Sequence, residues 1–124
     1  MKYRAALATL DGEEIDVHFG RCGNFLVAEI DADTGEAGFI ERREVAPVCP
    51  SGHDDEVFCG VADALSDCRF VIAARAGLYA KRYMKSKGLI IIEDPSEVSD
   101  ALKKLAAHLK YAENMQKVSD ENGD

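Results

Sequence analysis

Apolar and polar positions alternate in a readable order along the chain. Residues 3–10 form a mostly apolar run that ends at Asp11-Gly12, a turn pair, and predict a first strand. Residues 25–30 are apolar on both faces, as in a buried strand. The turn cluster 31–35 follows, and residues 39–45 alternate well enough for a hairpin partner. Pro47, Pro50 and Gly52 then break the pattern. Asp54, Asp55 and Glu56 open a helix, where carboxylates suit the positive end of the dipole, and Val57, Phe58, Val61, Ala62 and Leu65 form its apolar face. Residues 70–74 predict a short strand. Residues 77–87 predict a helix with a basic outer face (Lys81, Arg82, Lys85, Lys87), stopped by Gly88, and residues 89–92 a wholly apolar strand. Asp94 reads as an N-cap, Pro95 as the first helical residue and Glu97 as the capping-box acid. Val98, Ala101, Leu102, Leu105, Leu109 and Ala112 then mark one helical stripe.

The second half alternates strand and helix, which builds parallel strands, while the hairpin adds antiparallel character. The expected fold is a three-layer α/β domain with a five-stranded mixed sheet and helices on both faces. One domain spans residues 1–118, and residues 119–124 form a solvated acidic tail. In such a sheet, ligands bind in the crevice beyond the carboxyl ends of the parallel strands.

Charge narrows the function classes. The chain has 124 residues, with 15 Lys or Arg against 23 Asp or Glu, a formal net charge of −8. That balance argues against nucleic acid as a partner, which needs a broad basic surface. No apolar run reaches the roughly 20 residues of a membrane span, and the N-terminus has no signal-peptide pattern, so a cytoplasmic chain without a membrane partner is expected. Cysteines stand at 22, 49, 59 and 68 with no CxxC spacing, against a thioredoxin-like motif or a zinc ribbon. No phosphate-binding loop and no GxSxG element is present.

The crevice rule selects three loops. The first carries His18, Arg21 and Cys22, the second Cys49 and His53, and the third Arg75, Ala76 and Gly77. Converged on one rim, they bring two thiols, two imidazoles and two guanidinium groups. Thiolates and imidazoles suit soft or borderline metals, and arginines beside helix N-termini suit anions. A metal–sulfide cluster is both. Each residue also has a plainer reading: His18 as a loop histidine bonding a local carbonyl, Cys22 as a small buried hydrophobe, Cys49 and His53 as a chance pairing. Cys59 and Cys68 read as packing residues, and His108 as surface or core. Asp11, Glu29, Asp67 and Asp94 offer scattered carboxylates, whereas two-metal nuclease chemistry needs several that converge.

The run Asp11-Gly12, His18-Phe19-Gly20-Arg21-Cys22, Phe25 and Glu29-Ile30-Asp31, continued by Cys49, Gly52-His53, Leu65, Cys68, Val71-Ile72 and Arg75-Ala76-Gly77, resembles the dinitrogenase iron–molybdenum cofactor biosynthesis family, the NifX-like and NifB C-terminal-like proteins. The likeness covers roughly residues 1–110. It implies a ribonuclease-H-like motif used by a non-catalytic carrier. The cargo would be iron–molybdenum cofactor or a related molybdenum or iron–sulfur cluster, passed between cofactor-assembly proteins, often in anaerobes. It also implies His18, Arg21, Cys22, Cys49 and His53 as ligands or their supporting groups. Among these, Cys22, His18, Cys49 and His53 are the metal ligands. The turn 73–77 departs from the family pattern in lacking a further glycine, so that Ala73 or Ala74 narrows the backbone's approach to a ligand. The alternative reading is an interaction or regulatory module on the same fold. It would be cofactor-free, or zinc-binding through Cys22, Cys49 and His53.

Overall fold

The computed structural model describes residues 2–19, 23–45 and 59–122, with side chains described throughout except at 59–60 and 113–122. The elements are β1 (Lys2–Leu7), β2 (Asn24–Asp31), β3 (Glu36–Glu44), α1 (Cys59–Ala64), β4 (Phe70–Ala73), α2 (Leu78–Ser86), β5 (Ile90–Glu93) and α3 (Val98–Asn122). They follow the expected order. The five strands form one sheet in the order β3-β2-β1-β4-β5. β1 pairs antiparallel with β2, and β2 with β3, while β1, β4 and β5 run parallel. This is the mixed α/β sheet of a ribonuclease-H-like motif.

Burial explains the patterning. β1 lies at the centre with a neighbour on each side, so Ala5, Ala6 and Leu7 are buried although they point to both faces. On one face Ala6, Ala8, Phe25, Val27, Val71 and Ala73 pack against Val61, Ala62 and Leu65, and against Ala80 and Met84 of α2. On the other face Ala5, Leu7, Ala28, Ile30, Phe70 and Ile72 pack against α3. That helix buries Val98, Ala101, Leu102, Leu105, Ala106 and Leu109, the i, i+3, i+4 stripe expected of one apolar face. Layers of helix thus cover both sides of the sheet. β3 is an edge strand, and its many charged residues with a register shift opposite Val27 and Ala28 discourage further strand addition.

One expectation needs correction. Asp94 does not cap α3. Residues 94–97 are not helical: the Ile15 N–H donates to the Ser96 carbonyl at 2.9 Å and Glu14 bridges Glu97. The Val98 N–H donates to the Glu13 carbonyl at 2.7 Å, so a tertiary contact does the work assigned to a capping side chain. Glu97 instead supplies its carbonyl to the Ala101 N–H, and the Asp94 carboxylate pairs with Lys104 at 3.5 Å. At its other end, the backbone of α3 is helical through Asn122. Residues 113–122 contain neither Gly nor Pro and several good helix formers, so nothing local stops propagation before Gly123.

Candidate functional site at the carboxyl rim of the parallel strands

The rim is built by a segment that leaves the sheet and returns to it. β1 hands over to Ala8, whose N–H still donates to the Ile72 carbonyl at 2.8 Å. The chain then turns out through residues 9–16. The Asp11 carboxylate accepts from the N–H groups of Glu13 and Glu14 at 2.8 and 3.0 Å, and Gly12 takes the left-handed conformation with φ 82°. These donors, with the Thr9 hydroxyl, hold the Asp11 carboxyl below the usual carboxylate range. Ile15 buries itself on the α3 side and Phe19 on the α1–α2 side, where its ring lies 6.4 Å from that of Phe25. Pinned at those points, residues 17–19 occupy the lane beyond the end of β1. The Ala74 N–H donates to the Val17 carbonyl at 3.1 Å and the Phe19 N–H to the Arg75 carbonyl at 2.8 Å. His18 and Arg75 are thereby paired side by side in a parallel bridge, and both are exposed.

The turn after β4 completes the rim. Gly77 precedes α2 with no side-chain cap, and its carbonyl accepts from the Lys81 N–H at 3.1 Å. A Cβ placed on Gly77 would meet nothing within 4 Å, so the backbone there is open to an approaching group. Ala74 offers no such approach, because its N–H is spent on Val17. Glu93, the last residue of β5, reaches the same corner. It accepts from the Ala76 N–H at 3.4 Å and pairs with Lys81 at 2.6 Å. Lys81 first, and Arg75 further off, keep its carboxyl below the ordinary range.

Of the residues singled out by sequence, His18, Arg75 and Gly77 therefore lie on one rim. Arg21, Cys22, Cys49 and His53 lie outside the described residues. Among the described residues, no group of three or more His, Cys, Asp or Glu is placed to hold a metal ion. Cys68 is 4% exposed and belongs to the core on the α1–α2 face, and burial pushes its thiol up to about 11. His108 lies exposed on α3, and the side chain of Cys59 is outside the described set. Sequence reasoning missed Glu93, although a lone acid at the end of an apolar strand was a usable signal.

The other carboxylates are engaged separately. Glu29 stands by Lys2 and Arg4 across the β1–β2 pair. Asp67 bonds both Arg4 and Arg43 at 2.7 Å, and Arg43 also pairs with Glu41 and donates to the Ala64 carbonyl. Arg43 is the main cause holding the Asp67 carboxyl well below its usual range. Asp11 is committed to its own turn and Asp94 to Lys104. What the rim offers is an imidazole, a guanidinium and exposed backbone at the start of a helix, a set suited to an anion with soft-metal character.

The chain is similar to known proteins over most of its length. Over 108 residues the chain is 29% identical to the FeMo cofactor biosynthesis protein NifB of Frankia alni, a match covering 84% of this chain and 20% of that protein. The protein of the same name from Sinorhizobium fredii is 33% identical over 87 residues, covering 69% of this chain and 17% of that one. The chain thus spans about a fifth of the length of these relatives. The crystal structure of PH0822 superposes with a TM-score of 0.64 at 20% identity, covering 85% of this chain and 91% of that one, which supports the fold. The family model described as dinitrogenase iron-molybdenum cofactor matches residues 1–108, a span that contains every strand and the whole rim, and the chain belongs to that family.

Proposed function

We propose that the chain is a non-catalytic carrier that binds an iron–molybdenum-type metal–sulfur cofactor, or a precursor of it, at the His18–Arg75 rim and releases it to cofactor-assembly partners. The observation that supports this most is the bridge that sets His18 beside Arg75 next to the open backbone at Gly77. A metal–sulfide cluster is anionic and its metals are soft. An imidazole can ligate the metal, while a guanidinium and backbone N–H groups bond the sulfides or an attached carboxylate. Cys22, Cys49, His53 and Arg21 are the further groups that the family resemblance adds. A carrier must release its cargo, so a few contacts suit it better than the closed four-cysteine cage of a permanent cluster.

The test is titration of the chain, purified without oxygen, with isolated iron–molybdenum cofactor. Bound cluster is read by comigration and visible absorption. The parent should bind in about a one-to-one ratio, and the double variant His18→Ala, Arg75→Ala should bind at least about tenfold more weakly, the loss expected for one charge-assisted hydrogen bond. Equal binding by parent and variant would remove the rim from consideration. Stoichiometric zinc in the isolated chain, lost on Cys22→Ala or Cys49→Ala, would favour the zinc-binding module instead.

A further inference from the structure

The basic face of α2 is left unused by the rim. Residues 69–92 contain six Lys or Arg and no Asp or Glu, whereas the rest of the chain holds nine Lys or Arg against 23 Asp or Glu, a net charge of −14. Arg69, Arg75, Arg82, Lys85 and Lys87 are exposed, and only Lys81 of the six stands in an ion pair among the described residues. Arg69 spends one N–H on the Gly88 carbonyl, and Lys87 lies over the Tyr83 ring. α2 buries Ala80 and Met84, so Arg82 stands directly opposite, flanked by Leu78 and Ser86, with Lys85 beside them. Leu78 is 63% exposed, a large apolar side chain set in the basic stripe, with Tyr79 beside it at 48%. The stripe begins next to Arg75 and runs away from the rim along the outside of the helix.

We infer that this stripe is the docking surface for an acidic face of a different protein, with Leu78 as its apolar anchor. Charge complementarity carries the inference. A basic stripe on a molecule that is otherwise strongly acidic orients the whole chain in the field of an acidic partner and turns the stripe toward it. The remaining net charge repels nucleic acid and anionic membrane except at this one small patch. A second copy is also a poor occupant. A two-fold contact through the stripe would set Arg82 and Lys85 against their own equivalents, like charge on like charge. The inference rests on charge and exposure and is independent of what the rim binds.

A zero-length carbodiimide tests it with the native chain. The reagent activates a partner carboxylate, and the lysine Nζ attacks it to form an amide with net loss of water, so only amines already beside a carboxylate are joined. The chain is treated in the cytosol of its source organism and the joined peptides are sequenced. Amides are expected at Lys85 or Lys87, linked to an Asp- or Glu-rich peptide of one other protein and lost in high salt. Arg82→Glu keeps every lysine and lies on the solvent side of the helix. It should lower the yield about fivefold or more while circular dichroism is unchanged. Conjugates equally frequent at Lys103, Lys104 and Lys110, yields indifferent to Arg82→Glu, adducts to a second copy, nuclease-sensitive adducts, or no conjugate at all would each overturn the inference. None of these outcomes touches the cofactor titration, which reads the rim alone.

Discussion

Gly77 separates a structural from a binding role at a single residue. Its backbone angles, φ −70° and ψ 159°, are open to any side chain, and a Cβ there would meet nothing. The molecule has no internal need for glycine at this position. Gly77→Ala should change stability by less than about 1 kcal/mol, the range for an N-cap exchange. If cargo approaches the backbone at the rim, the same methyl stands in its way and weakens cluster binding by several-fold. Thermal unfolding beside the anaerobic titration checks both halves, and unchanged binding would mean that the ligand stays clear of this turn. Gly12 is the contrast: with φ 82° it serves the excursion that lets residues 17–19 return.

Pairs of elements are tied by the Arg43–Asp67–Arg4 group, which joins β3 and β1 to the segment after α1. The Asp67 carboxyl titrates below its ordinary value near 3.8 in the folded chain because Arg43 and Arg4 favour the charged form. A depressed folded value means that this stabilisation is fully present above the unfolded value and is lost as pH falls through the folded one. Asp67→Asn should therefore lower stability at pH 7 by about 1 kcal/mol, a figure reduced for a half-exposed pair. The gap between parent and variant should close between about pH 5 and pH 2. Denaturant midpoints across that range measure it, and a gap that is constant with pH would rule out the ionised pair as the cause. Element types were legible because their signal is local. The apolar strand runs and the stripe of α3 are visible in any window of ten residues. The start of α3 was misread because Asp94-Pro95-Ser96-Glu97 has every local mark of a capping box, yet pairing with residues 13–15 holds it out of the helix.

Across the whole molecule, stability should fall from the sheet centre to its edges. β1 and β4 have a strand on each side and helices over both faces, whereas β3 is an exposed edge. Native-state hydrogen exchange should be slowest at the amides of Ala5–Leu7 and Val71–Ile72 and faster by orders of magnitude at the unpaired amides of β3. Equal protection of β3 would mean that something covers that edge in solution.

Apolar periodicity, turn residues and charge balance by themselves determined the list of elements, their order and the mixed sheet they build, since each depends on neighbours a few residues apart. They also marked the loop ends at which a ligand could sit. Only tertiary structure decided that residues 17–19 fill the lane beside Arg75, that Glu93 reaches the foot of α2, and that α3 starts on a carbonyl from Glu13. Those contacts are backbone hydrogen bonds and ion pairs between distant segments. Their partners are chosen by how the sheet stacks the chain in space, and no short window of residues contains that information.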